Sequence, residues 1–86
     1  MNNFEATNIK YLSNLNEGET GEIIQVRGKP ETHRYLYGIG LTMGRSVSIS
    51  GAGMTPQGSA LTVRAGDKVA TIEKNIADNI KVQTTR

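Results

Sequence analysis

RYLYGIGLTMGRSVSIS, residues 34–50, holds three glycines, Gly38, Gly40 and Gly44, within seven positions, between a helical stripe and a strict alternation. Upstream stand Pro30, Glu31 and Thr32, a helix start in which proline has no amide to leave unbonded and the glutamate faces the positive end of the helix dipole. Leu36 and Ile39 lie three apart, and Tyr35 and Ile39 four apart, so one stripe of this short helix faces a core. Downstream, Val47 and Ile49 alternate with Ser46, Ser48 and Ser50, the pattern of a half-exposed strand. A phosphate-binding loop runs strand, glycines, helix, so that backbone amides and a helix N-terminus meet the phosphates. Here the order is reversed: the glycines follow a carboxyl end, whose partial negative charge repels phosphate, and no G-K-[ST] accompanies them. Gly40 and Gly44 are therefore read as structural turns, Gly40 as the left-handed residue just past the helix and Gly44 as the launch of the next strand. Gly38 falls in the last helical turn, where it weakens the helix by roughly 1 kcal/mol relative to alanine.

Outward from this corner, residues 1–8, MNNFEATN, are polar and aperiodic and read as a flexible N-terminal tail. Ile9, Leu12 and Leu15 then precede a turn at Gly18 and Gly21, and EIIQVRG (22–28) predicts a strand with Ile24 and Val26 on one face. GAGMTPQGS (51–59) reads as a loop. ALTVR (60–64) alternates through Leu61 and Val63, AGDK (65–68) turns at Gly66 and Asp67, and VATIE (69–73) returns as the second arm of a hairpin. One helical turn around Ile76 and Ala77 and a last strand through Ile80 and Val82 close a single domain, residues 9–83, leaving 84–86 as a C-terminal tail. About five short strands and two short helices predict a mostly β fold, a small barrel or roll.

A chain of 86 residues builds one core, because folding at this size buries only roughly 60 to 65% of the unfolded surface. It contains no cysteine, which excludes disulfides, thiolate metal sites and thiol catalysis together. Ten Lys and Arg oppose eight Asp and Glu, and the basic residues are scattered rather than gathered into a run, a weak electrostatic footprint for nucleic acid. The start lacks a basic segment followed by an apolar one, and no apolar run approaches the roughly 20 residues that span a bilayer. A cytoplasmic protein is expected, meeting a membrane only through a partner.

Candidate chemistry is sparse. His33 is the only histidine and has no second soft ligand to join it on a metal. Glu17, Glu19 and Glu22 flank a turn but lack the alternating carboxylates of a calcium loop. Ser46, Ser48 and Ser50 share a strand face with no base that spacing places beside them, so no nucleophile emerges. The expectation is a protein that is not an enzyme and carries no cofactor or metal of its own. Partner binding has better candidates. Tyr35 and Tyr37 are two of four aromatics and lie two positions apart on a helix, so both cannot face the core. With Met43 and Met54 as adaptable apolar contacts and Arg45 as a rim charge, they form the expected partner-binding set.

The order of signals, LSNLNEGETGEIIQVRG (12–28), RYLYGIGLTMGRSVSIS (34–50) and ALTVRAGDKVATIEKNIADNIKV (60–82), resembles the ferrous iron transport protein A family, FeoA. Leu36, Ile39, Gly40, Leu41 and Gly44 occupy the family's L-x-x-L-G-[LM]-x-P-G pattern, and Ala77, Ile80 and Val82 its closing A-x-x-I-x-V. Met43 stands where the pattern has proline, Gly38 where a polar residue is usual, GMTPQGS in place of a G-D-P loop, and Glu73 where a basic residue is common. The resemblance implies an SH3-like β barrel of cytoplasmic location. It also implies a role in ferrous iron uptake and transition-metal homeostasis, exerted without catalysis by contacting the membrane transporter FeoB. The corner helix and residues 51–59 are then the expected contact surface, and weak self-association is compatible with it. The absence of tryptophan argues against proline-motif recognition of the eukaryotic SH3 type. The alternative reading is a small nucleic-acid-binding barrel, suggested by a sequence pI near 9.2, whose RNA binding would weaken steeply with salt.

Overall fold

β-Branched and alternating segments become strands, and glycines at positive φ set the turns between them. The computed structural model describes residues 7–85. Along the chain run β1 (Thr7–Tyr11), a 3-10 turn (Leu12–Asn14), β2 (Thr20–Val26), α1 (Pro30–Gly38), β3 (Ser46–Thr55), β4 (Gly58–Ala65), β5 (Lys68–Glu73), α2 (Lys74–Ala77) and β6 (Ile80–Thr85). The strands form one antiparallel sheet in the order β1-β6-β2-β3-β4-β5. Ala65 and Ile72 from one end of that sheet share a single core cluster with Leu12, Ile23, Leu36, Leu41, Val47, Ile80 and Val82, so the sheet rolls onto itself. α2 packs on β4, β5 and the 3-10 turn and fills the space between the sheet's two ends.

The corner is a Schellman cap. Leu41 N–H donates to Leu36 O at 2.8 Å and Gly40 N–H to Tyr37 O at 3.1 Å, while Gly40 sits at φ +88°. Leu36 and Leu41 are both buried in the core, the apolar contact that accompanies this cap. Arg45 N–H then donates to Thr42 O at 3.1 Å across a turn whose third residue, Gly44, has φ +85°, a type II arrangement. Both glycines thus do what the sequence requires of them. A Cβ at Gly40 would also meet the stem of Lys68, with Cδ at 3.4 Å. Gly40→Val, a β-branched residue in left-handed backbone, should lower the melting temperature by about 5 to 15 °C. A melt within about 1 °C of the parent would remove the cap assignment.

Several expectations are corrected. There are six strands, not five, because β1 pairs with β6 from Thr7↔Thr85 to Tyr11↔Lys81. Thr7 and Asn8, read as tail, open β1, and Thr84 and Thr85, on the far side of the 9–83 boundary, end β6; residues 1–6 and 86 lie outside the described residues. Ile9, placed in the apolar set, is 61% exposed on the edge strand, whereas Leu12 and Leu15 are buried as expected. In β2 the buried isoleucine is Ile23 rather than Ile24, and Val26 packs on the core only because the register shifts between Ile23 and Gln25. That bulge resets the alternation by one residue. Residues 51–59 are not a loop. β3 and β4 stay paired from Gly51↔Thr62 to Thr55↔Gly58 around a two-residue turn, Pro56 and Gln57. The turn is fastened by Gln57 N–H donating to Thr55 Oγ1 at 3.1 Å and Thr55 Oγ1 donating to Gly58 O at 3.2 Å.

β1 is tied down from the side as well as along its ladder. Lys10 Nζ donates to both carboxylate oxygens of Glu19 at 3.0 Å, and Asn16 N–H donates to Glu19 Oε1 at 2.9 Å. The Asn16 backbone hydrogen bond, followed by that of Lys10, holds the Glu19 carboxyl below its ordinary value. A carboxylate depressed in the folded state lends stability that is fully present above its unfolded pKa and lost as pH falls through its native one. Glu19→Gln should therefore flatten the loss of stability between about pH 5 and pH 3, with little change in slope at neutral pH. Urea midpoints across that range test it; parallel curves for parent and variant would show that Glu19 contributes nothing to acid sensitivity. Beside this pair, Lys81 Nζ lies 5.7 Å from the Tyr11 ring centre, its cross-strand neighbour, so the one aromatic side chain described on a strand is already covered by a cation.

Candidate functional site

Pro30–Gly38 is amphipathic only on one stripe. Leu36 enters the core, and the other faces of α1 form a ridge with a groove on either side. Residues 33, 34 and 37 share one flank by their spacing of three and four, and residues 31, 32 and 35 share the other.

The first groove encloses about 610 Å³. Buried Leu36 and Leu41, with half-buried Val26, make its floor; Tyr37, 76% exposed, and Met43, 65% exposed, stand over it; His33 and Arg34 complete the helix side. Its floor is thus the outer surface of the core itself, laid open by the sharp Gly40 turn. The second groove, about 380 Å³, lies between Glu31, Thr32 and Tyr35 of α1, the β3–β4 hairpin tip at Thr55 and Gln57, and Thr71, Glu73 and Ile76.

The expected partner-binding set is therefore divided. Tyr37 and Met43 meet in the first groove, while Tyr35, 45% exposed, lines the second. Met54, 77% exposed, belongs to the hairpin, where Ser59 Oγ donates to its sulfur at 3.6 Å, and it lines neither groove. Arg45 is turned the other way, its Nη2 donating to Ala65 O at 3.2 Å over the Gly66 turn between β4 and β5. His33, Arg34 and Val26 lie outside the expected partner-binding set, although His33, Arg34 and Tyr37 stand at helical spacing from one another. Among the described residues, no three His, Cys, Asp or Glu side chains gather closely enough to hold a metal ion. Of the serines, Ser50 Oγ donates to Thr62 O at 3.4 Å at the bulge between Ile49 and Gly51, and it has a structural partner rather than a catalytic one. Tyr35 and Tyr37 lie on a helix, so they build no row of stacking platforms across the sheet of the kind RNA-binding sheets use. No helix among the described residues is long and apolar enough to cross a membrane.

Six antiparallel strands rolled around one core, with a glycine-capped helix at the corner, define a small SH3-like barrel. The FeoA domain model matches residues 10–84, and the chain belongs to the FeoA domain family, a family of small accessory domains associated with iron uptake. A crystal structure of an iron uptake regulatory protein, FeoA, superposes with a TM-score of 0.76 at 21% identity, covering 92% of this chain and 100% of that one. The solution structure of the FeoA protein from Chlorobium tepidum gives 0.75 at 27% identity over 87% of this chain and 70% of that one. Iron(II) transport protein A from Clostridium thermocellum gives 0.75 at 28% identity over 87% of this chain and 45% of that one. No curated protein matches the sequence.

Proposed function

We propose that the chain is a non-enzymatic accessory module that docks on the cytoplasmic part of a FeoB-type ferrous iron transporter and modulates it. The observation that carries this reading is the exposure of Tyr37 and Met43 above a groove floored by the core. A domain with so little core leaves two of its larger side chains in water at the corner that bears the family pattern. Side chains of this kind contribute most when a partner desolvates them. The iron(II) transport name of the Clostridium relative supports the same assignment of process. On this reading the module acts by contact and needs no iron of its own.

The test is an amide NMR titration of the labelled protein with the soluble cytoplasmic domain of the transporter. Shifts are expected at Val26 and across residues 33–43, and Tyr37→Ala should weaken binding by about tenfold or more. Tyr35→Ala, on the far flank of α1, should weaken it by clearly less. A titration to saturating domain with no shifts would remove the docking assignment.

A further inference from the structure

We infer that the first groove recognises one kind of partner segment: an amphipathic helix whose apolar face is flanked by carboxylates. The inference deepens the docking reading and rests on it for the claim that this groove is a partner surface. Its own argument comes from charge and from backbone geometry.

Between Glu31 and Asp67 the chain carries no acidic residue, and the groove is built almost wholly from that interval. Arg34 and His33 line it, and no carboxylate does. Arg27 and Lys29, both exposed, occupy the segment that joins Val26 of the groove floor to α1. Among the described residues the ion pairs are Lys10–Glu19 and Lys74–Asp78, so Arg27, Lys29 and Arg34 have no internal counter-charge within 4.0 Å. Across the ridge the sign reverses: Glu31 and Glu73 line the second groove, and no basic side chain is among its lining residues. One helix therefore separates an apolar groove with a cationic rim from a more polar groove with an anionic one. An acidic segment is steered to the side where Tyr37 and Met43 wait, and a basic one is steered away.

The partner's backbone is constrained too. β2 supplies Val26 and pairs with β6 from Glu22 to Val26, whereas its pairing with β3 ends at Glu22 and Ile23 is held by Gly44 and Arg45, so the strand edge left open beside the groove is no longer than Ile24–Val26. An extended segment laid there could pair with that short edge only and would leave most of its own amides and carbonyls unbonded against apolar side chains, whereas a helix satisfies them internally and presents anchors at i, i+3, i+4 and i+7. A groove of about 610 Å³ takes a few such anchors, not a folded domain.

The probes are two synthetic helices of about four turns with the same leucine face, one flanked by glutamates and one by lysines. The glutamate peptide should shift the amides of Val26, Arg34, Tyr37 and Met43, weaken as salt rises, and bind about tenfold or more tightly than its lysine twin. Arg34→Glu should narrow that preference by about threefold or more, and Met43→Glu should abolish binding of the glutamate peptide. Both are exposed positions, and an unchanged amide spectrum elsewhere verifies the fold. Equal binding of the two peptides, or shifts confined to residues outside the groove, would overturn the inference. The transporter domain, titrated in parallel, separates the two claims. If the glutamate peptide fills the groove and the domain does not bind, docking falls and the groove's chemistry stands. If the domain binds in the groove with affinity indifferent to salt and to Arg34→Glu, docking stands and the acidic-segment inference is overturned.

Discussion

Leu36→Ala should lower the free energy of unfolding by about 2 to 5 kcal/mol, the range for a leucine whose removal opens a cavity that its neighbours fill only in part. Leu36 is 1% exposed, belongs to the core cluster, and carries the carbonyl that accepts Leu41 N–H at the helix cap. The loss is large beside a total of about 4 to 13 kcal/mol for a chain of this length. It should appear as a lower urea midpoint with an unchanged slope, because the same surface is exposed on unfolding. Tyr37→Ala, one position along the same helix and mostly exposed, is the control and should stay within about 0.5 kcal/mol of the parent. A Leu36→Ala midpoint equal to that of Tyr37→Ala would mean that the corner is not seated on the core.

Gly21→Ala should be destabilising by about 1 to 3 kcal/mol, although alanine outranks glycine in a strand on propensity alone. Gly21 is buried in β2 and is not among the glycines at positive φ, so conformation does not demand it. Space does. A Cβ there would lie 3.0 Å from Val82 Cβ and 3.1 Å from Val82 Cγ2, with Thr84 Cγ2 at 3.4 Å. The nearest atom is attached directly to the β6 backbone, so relief requires strand β6 to move rather than a side chain to rotate. The pairing has a signature: in Gly21→Ala/Val82→Ala the two losses should fall short of additivity by about 0.5 kcal/mol or more. Strict additivity would mean that Val82 Cγ2 takes no part in the strain.

What could be read from the chain was what neighbouring residues decide. The corner was legible because a helix cap and a type II turn are local, and Gly40 and Gly44 are the residues those geometries require. Val47, Ile49, Leu61 and Val63 announce their strands by alternation, and three of the four are buried. The outer half of the β3–β4 hairpin was hidden because Gly51 and Gly53 carry no side chain to alternate and Pro56 and Gln57 look like the middle of a loop. Alternation with Val26 points to Ile24 rather than Ile23 because a bulge leaves no mark on an alternating pattern. β1 leaves no local mark because its partner, β6, lies at the opposite end of the described chain. At the site, the exposed tyrosines followed from helical spacing. Their division between two grooves depends on where the β3–β4 tip and the 41–43 turn pass in space, which spacing along the chain does not encode.

The pairing of β1 with β6 also orders events on the ribosome. β3, β4 and β5 form consecutive hairpins with two-residue connections at Pro56–Gln57 and Gly66–Asp67, so their pairings are local and close over short loops. β1 is made first, yet among the described strands its partner is the last one made. Until residues 80–85 leave the exit tunnel, Leu12 lacks the β6 side of its cluster and β2 lacks one of its two neighbours. A nascent chain from which β6 has not yet emerged thus carries β1 unpaired, and the barrel closes only once residues 80–85 are free.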